Sequence, residues 1–280
     1  MITATAPSSP IDVLNWEEGF VVTLDCAGVR GLSKDGSIEF LRKWKEVVDS
    51  LDADAYQPGT PVARESVVQM QKFVLGDMIV LLWPQREPRK HILTMGGIVS
   101  ALLGTGLRRG LFLRAAIDHG EYCVQDLGNK GVTILGSPVI ETVAMHESLQ
   151  MLGCTVCGGM TGMIDWFEGQ IKPDLTDPAL GRHFVRYETV FKDAVAGRMS
   201  MQIAWPWTYI INANGEVETA RKTFLEEFAV FKYPTKEYPK YASTIKFFDW
   251  YCKAVKISPT ALEAHRQLVE MGVIGTREIQ

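Results

Sequence analysis

Two aspartates stand at the ends of apolar, β-rich runs, each with a glycine close by. GFVVTLDCAG places Asp25 after the run Gly19–Leu24, and FVLGDMIVLLW places Asp77 between two such runs. Short stretches of Val, Ile, Leu and Phe bounded by glycine read as buried strands. Asp25 therefore closes a strand, and Gly76–Asp77 forms the tip of a hairpin within Val67–Pro84. A carboxylate buried beside a sheet is costly unless a cation pairs with it, and two brought together suit a hard divalent metal. The alternative reading is that each aspartate caps a loop, as strand-end aspartates commonly do.

Around these two strand ends the chain alternates between sheet and helix. Ser37 reads as an N-cap for an amphipathic helix with Ile38, Leu41, Trp44, Val48 and Leu51 on its apolar face. DADAYQPGTP, rich in turn formers, follows as a loop. After the hairpin come an apolar helix over 91–107, a strand over Leu111–Ile117, a turn at His119–Gly120, a glycine-rich excursion at DLGNKG and a strand at Val132–Leu135. Pro138 suits the first turn of a helix running to Leu152. A strand at CTVC, a helix over 159–170, a loop KPDLTDP, strands at Phe184–Phe191 and Met201–Ile211, and helices over 216–230 and 235–256 complete the pattern. Ser258 and Pro259 open a last helix to Met271. The order predicts an α+β fold with helices packed on a mixed sheet.

Composition narrows the function classes. At 280 residues with 46% hydrophobic and 22% charged residues, the chain suits one large core with appendages. A net charge of -4 supplies no broad basic field for nucleic acid. Five cysteines, Cys26, Cys123, Cys154, Cys157 and Cys252, are few and odd in number, against a secreted disulfide framework and for a reducing, cytoplasmic setting. MITATAPSSPIDVLNW reads as a short polar leader over 1–17, not a signal peptide. The longest apolar stretch, His91–Leu107, falls short of the ~20 residues a membrane span needs.

LDCAGVRG and LGDMIV together resemble the class III nucleotide cyclases. That family carries a strand-end aspartate followed by D-x-x-G-[FY]-T and, downstream, a hairpin K-x-x-G-D; here Asp25, Gly28, Gly76 and Asp77 fill those places, with about fifty residues between the aspartates. Its strand R-x-G-[IL]-x-x-G is matched loosely by LRAAIDHG, Leu113–Gly120, and the glycine opening its final helix by Gly136. The resemblance spans residues 18–160 and implies a ferredoxin-like cyclase sheet as the catalytic domain, with 161–280 an α/β extension packing on or completing it. It further implies Asp25 and Asp77 as catalytic residues and, with the Cys26 carbonyl, as ligands of two Mn²⁺ or Mg²⁺ ions. Cys26, Ala27, Gly28, Val29 and Phe73 would line the nucleotide. The implied reaction is attack of a ribose 3′-hydroxyl on the α-phosphorus, expelling pyrophosphate, in a homodimer whose sites lie between catalytic domains.

The departures from the family pattern are specific. The purine-reading lysine or glutamate four residues before the hairpin aspartate is Phe73, and the transition-state asparagine and arginine correspond to Ile140 and Ala144. With YETVFKDAVAGRMSMQIAWPW, where Val190, Lys192, Trp205 and Pro206 approximate a VP-x-K and W-P pattern, these departures resemble the pyrimidine cyclases of bacterial Pycsar anti-phage systems. The resemblance implies UTP or CTP as substrate, a cyclic pyrimidine product and a downstream effector that responds to it, and no nucleic-acid or membrane partner. An aromatic Phe73 can line the pocket of the smaller base. A divergent purine cyclase and a catalytically inactive nucleotide-binding signalling module are the alternatives. Arg114, Arg30 and Lys72 are candidates to stabilise charge in place of the missing arginine.

Other signals have plain structural readings. Cys154 and Cys157 point to opposite faces of a strand and pack in the core. GTGLRRG, with Gly104, Gly106 and Gly110, ends a helix, having neither dinucleotide nor Walker spacing. His119 reads as a solvated turn residue, His146 as a surface or interface residue, Trp205 and Trp207 as packed residues of an apolar strand, and Asn214–Gly215 as a hairpin turn.

Overall fold

A computed structural model describes residues 15–29, 32–51, 69–85, 88–170, 184–192, 197–229 and 238–254. The loops expected at DADAYQPGTP and KPDLTDP, most of the leader, Arg30 and the helix opened by Ser258 lie outside the described residues.

The chain begins with β1 (Trp16–Cys26), α1 (Lys34–Asp49), the hairpin β2 (Gln71–Leu75) and β3 (Met78–Pro84), α2 (Pro88–Arg108) and β4 (Leu113–Asp126). These four strands lie in the order β2-β3-β1-β4, every neighbour antiparallel. A βαββαβ unit in that order is ferredoxin-like. Beyond it, β5 (Val132–Leu135) pairs with the far end of β4, and α3 (Ser137–Ser148) leads to β6 (Gly153–Val156), which runs parallel to β4. After α4 (Gly158–Gln170), β7 (Phe184–Thr189) and β8 (Arg198–Ile203) extend the same sheet past β6, and α5 (Trp207–Asn212), α6 (Val217–Ala229) and α7 (Tyr238–Ala254) follow. The fold is α+β, and the described residues form one eight-stranded sheet.

Alternation along the strands divides the core. Phe20, Val22 and Leu24 of β1 join Trp44 and Val47 of α1, Met95 and Val99 of α2, and the aromatic cluster of Trp205, Phe224, Phe247 and Phe248 on one face. Val21, Val80, Leu82 and Tyr122 form a smaller cluster on the other, with Phe73 and Val139 packed against it. That second face is where α3 crosses β4 and β1. No helix among the described residues is long and apolar enough to cross a membrane.

Several elements differ from the sequence expectation. The N-cap of α1 is Ser33, whose Oγ accepts from the Gly36 amide at 3.1 Å; Ser37 lies inside the first turn. Ile38 and Leu41 are each 59% exposed, while Trp44, Val47 and Leu51 are buried. Ile38, six residues before Trp44, falls roughly a third of a turn away from the buried arc. His119–Gly120 makes no turn: Gly120 pairs with Gly19 inside the long β4, and its bare Cα lies under the ring of Pro138.

The run expected as a strand over Met201–Ile211 ends at Ile203. Pro206 has helical angles (φ -59, ψ -22) and opens α5, so Trp205 is a buried turn residue and Trp207 a buried helix residue. Asn214 and Gly215, both with positive φ, turn α5 into α6 and are not in a hairpin. Gly106–Gly110 does end α2, through Leu111 N to Gly106 O and Gly110 N to Leu107 O, each 2.8 Å. Cys154 and Cys157 are both buried, and burial pushes both thiols up.

Candidate active site

Three strand ends converge at Asp25. β1 is buried from Gly19 to Leu24, so its apolar side chains anchor it between both faces of the sheet and leave Asp25 at the rim, 17% exposed. The β2–β3 turn consists of Gly76 and Asp77, with Gly76 at φ 65, a left-handed conformation that favours glycine. Because Asp25 pairs with Met78, the turn lies beside the end of β1, and the Cys26 amide donates to the Asp77 carbonyl at 3.1 Å. On the other side Asp25 pairs with Arg114 at the start of β4, and the Ala27 amide donates to Phe112 O at 2.8 Å. Asp25 and Asp77, far apart in sequence, thus occupy adjoining backbone positions.

The electrostatics centre on Arg114. Its Nε donates to Asp25 Oδ1 at 3.1 Å and its Nη2 to Oδ2, a bidentate pair in which the arginine side chain is 12% exposed. Nη1 reaches the carbonyls of Glu147 at 3.4 Å and Leu149 at 3.5 Å, at the end of α3. The Cys26 thiol is pushed up to about 12, first by burial and then by the charges of Asp25 and Asp77, so it stays neutral.

The remaining residues singled out in the sequence fall as follows. In the loop after β1 the amides of Cys26 and Ala27 are committed to protein carbonyls; Gly28 is exposed and Val29 half-buried. Phe73 pairs with Val80, which pairs with Thr23, so Phe73 is half-buried on the sheet face that also carries Asp25 and Arg114. Lys72 points elsewhere, its Nζ donating to Leu51 O at 3.2 Å. Ile140 is 70% exposed and Ala144 is exposed, both on the outer side of α3.

His146 is a correction: it is buried, not at the surface, and hydrogen-bonds Thr23 Oγ1 through Nδ1 at 2.7 Å. Burial holds its ring below the usual histidine range, opposed by the nearby Asp25 charge. The signal for it was present in the sequence as Pro138, Thr142 and His146 at successive i, i+4 positions, the buried stripe of α3. His119 is likewise half-buried in a strand, donating to the Gln85 carbonyl at 3.2 Å with its ring edge-on to Phe20.

A divalent cation fits the donor set in one respect and is opposed in another. Asp25 and Asp77 offer hard oxygen ligands, and magnesium-type sites commonly use only one or two carboxylates, the rest of the shell being water and substrate phosphate. No group of three or more His, Cys, Asp or Glu able to hold a metal occurs among the described residues. The opposing feature is Arg114, already paired with Asp25.

No protein-family model and no curated protein matches the chain. Among solved structures, it is similar to the catalytic core of a rhodopsin-guanylyl cyclase with converted specificity in complex with ATPαS, at 12% identity and TM-score 0.46, over 69% of this chain and 98% of that one. The guanylate cyclase domain of RhGC from Catenaria anguillulae in complex with GTP gives 11% identity and TM-score 0.44, over 68% and 97%. A bacterial light-regulated adenylyl cyclase gives 13% and 0.41, over 73% and 99%. Likenesses this slight establish neither family nor activity.

Proposed function

We propose that the protein is a nucleotide cyclase of the class III type, acting on UTP or CTP to form cyclic UMP or cyclic CMP and pyrophosphate. The observation that carries this reading is the placement of Asp25 and Asp77 at adjoining backbone positions, one closing the buried stretch of β1 and the other at the tip of the adjoining hairpin. The carboxylates of both, with the Cys26 carbonyl, would hold Mn²⁺ or Mg²⁺. When bound, such an ion supplies acidity to the ribose 3′-hydroxyl and charge neutralisation to the triphosphate. The 3′-oxygen forms its bond to the α-phosphorus as the bond to the β-phosphate oxygen breaks, and the hydroxyl proton leaves to solvent.

The chain's own residues orient the reactants. The Gly28 and Val29 segment borders the triphosphate, and Phe73 lines the base on the same sheet face. Residues 18–160 form the catalytic domain in this reading and 161–280 its extension. Homodimerisation, a cytoplasmic setting, a product-responsive effector and a role in anti-phage defence belong to the same proposal; the free cysteines suit a reducing compartment.

A second reading, a nucleotide-binding module without turnover, is favoured by the apolar, exposed Ile140 and Ala144 and by the pairing of Asp25 with Arg114. Incubating the protein with ATP, GTP, CTP or UTP and Mn²⁺, and resolving products by mass, separates the two. A cyclic pyrimidine absent from Asp77→Ala supports the proposal, a cyclic purine moves it to purine chemistry, and nucleotide binding without product favours the module.

A further inference from the structure

We propose that Arg114 is a built-in monovalent cation that competes with a divalent ion for Asp25, so that metal entry transfers the guanidinium onto the end of α3. The inference rests on the metal reading of Asp25 and Asp77 above, and deepens it by naming what regulates the site.

The argument begins with the cost of burying charge. Asp25 is mostly buried at its strand end, and a buried carboxylate demands a partner. Arg114 supplies one through two parallel hydrogen bonds, one to each carboxylate oxygen. A carboxylate has about four lone-pair directions, and this pairing takes one on each oxygen. A divalent ion arriving at the remaining directions would face a fixed positive charge across the same carboxylate. Binding the ion therefore favours the guanidinium's departure.

The destination is already in place. Nη1 lies 3.4 Å from Glu147 O and 3.5 Å from Leu149 O, long contacts that shorten if the guanidinium swings off Asp25. These carbonyls end α3, where a cation complements the helix dipole and the unsatisfied acceptors. The same helix end is tied to β1 by His146 and Thr23, two residues before Asp25 on the same strand face. α3 thus registers whether Asp25 holds arginine or metal, and it does so through contacts outside the carboxylates themselves.

The test uses the full chain and Mn²⁺ alone, with free ion followed by electron paramagnetic resonance. If Arg114 occupies Asp25 in about nine molecules of ten, removing it raises apparent affinity about tenfold. Arg114→Gln should therefore bind Mn²⁺ about tenfold more tightly than wild type, and Asp77→Asn should bind it far more weakly. Equal or weaker binding by Arg114→Gln, with Asp77→Asn still impaired, overturns the competition and leaves the metal reading standing. Failure of all three proteins to bind refutes both.

Because Arg114→Gln also loses the α3 contacts and could misfold, a second measurement uses wild type. The Nε–H resonance of Arg114, assigned by its loss in Arg114→Lys, is followed while Mg²⁺ is added. A saturating shift absent from Asp77→Asn supports displacement; a resonance that stays put at Mg²⁺ concentrations that displace bound Mn²⁺ from the wild-type protein overturns it.

Discussion

Replacing Asp118 with asparagine should stabilise the protein at neutral pH and leave it unchanged in acid. Asp118 lies on β4, 3% exposed, with Oδ1 accepting from the Met160 amide of α4 at 3.0 Å. Its carboxyl is pushed up from the ordinary aspartate range to about 6, first by burial and then by the charge and hydrogen bond of Glu141 on α3, against amide donors at His119 and Met160. The neighbouring Cys157 thiol also feels both carboxyls and stays neutral.

The sign follows from which state ionises first. Below the unfolded value both states carry a proton and Asp118 costs nothing; as pH rises towards 6 the unfolded chain ionises while the folded chain resists. Stability is therefore lost across that interval, and the loss is complete above it. Raising the carboxyl to about 6 costs the folded protein about 3 kcal/mol at most. Asparagine keeps an oxygen for the Met160 amide and offers Glu141 a donor in place of a repelling charge. Asp118→Asn should thus gain about 1–3 kcal/mol at pH 8, or a melting temperature higher by several degrees, and should match wild type at pH 4. Thermal melts of both proteins across this range are the assay. A difference independent of pH, or a variant less stable at pH 8, would refute the reasoning and show that ionised Asp118 is a net stabilising cap for α4.

Asp77→Ala should reduce cyclase turnover below about a hundredth of wild type while its melting curve is unchanged, since the residue lies in a two-residue turn at the surface. Asp25→Asn and Asp25→Ala should both lose turnover and both destabilise, because each leaves the mostly buried Arg114 charge without its counter-ion, alanine by about 3–5 kcal/mol and asparagine by less since its amide oxygen still accepts one hydrogen bond; melting of Asp25→Ala equal to wild type would contradict this. Phe73→Ala should shift the pyrimidine-to-purine ratio of kcat/KM by up to about tenfold, the scale of one aromatic contact, with the Mn²⁺ dependence unmoved; an unchanged ratio makes Phe73 a packing residue alone. Thr23→Val should cost about 1–3 kcal/mol in denaturant melts by leaving the His146 ring unpaired in the core.

Much of the site was legible before the structure because its parts are local. A buried apolar run needs no tertiary information to be read as a strand, and Gly76–Asp77 between two such runs makes a two-residue turn. The α+β class and the helix-ending role of Gly106–Gly110 follow from patterns of the same short range. Where local signals point two ways, packing decides. Gly120 reads as a turn residue, but it continues β4, paired with Gly19 of β1 and facing Pro138 of α3. The apolar run through Trp205–Ile211 has strand composition, yet Pro206 cannot donate to a ladder and opens a helix instead.

The sequence by itself determined which residues end strands and turns, because hydrophobic period, glycine and proline act over a few residues. The tertiary structure alone decided which strand ends meet, since the order β2-β3-β1-β4 is what sets Asp77 and Arg114 on either side of Asp25. It alone decided that Arg114, and not Lys72, reaches that carboxylate, and that His146 faces inward onto Thr23. Charge pairing acts through space, and a buried carboxylate takes whichever cation the sheet brings within reach.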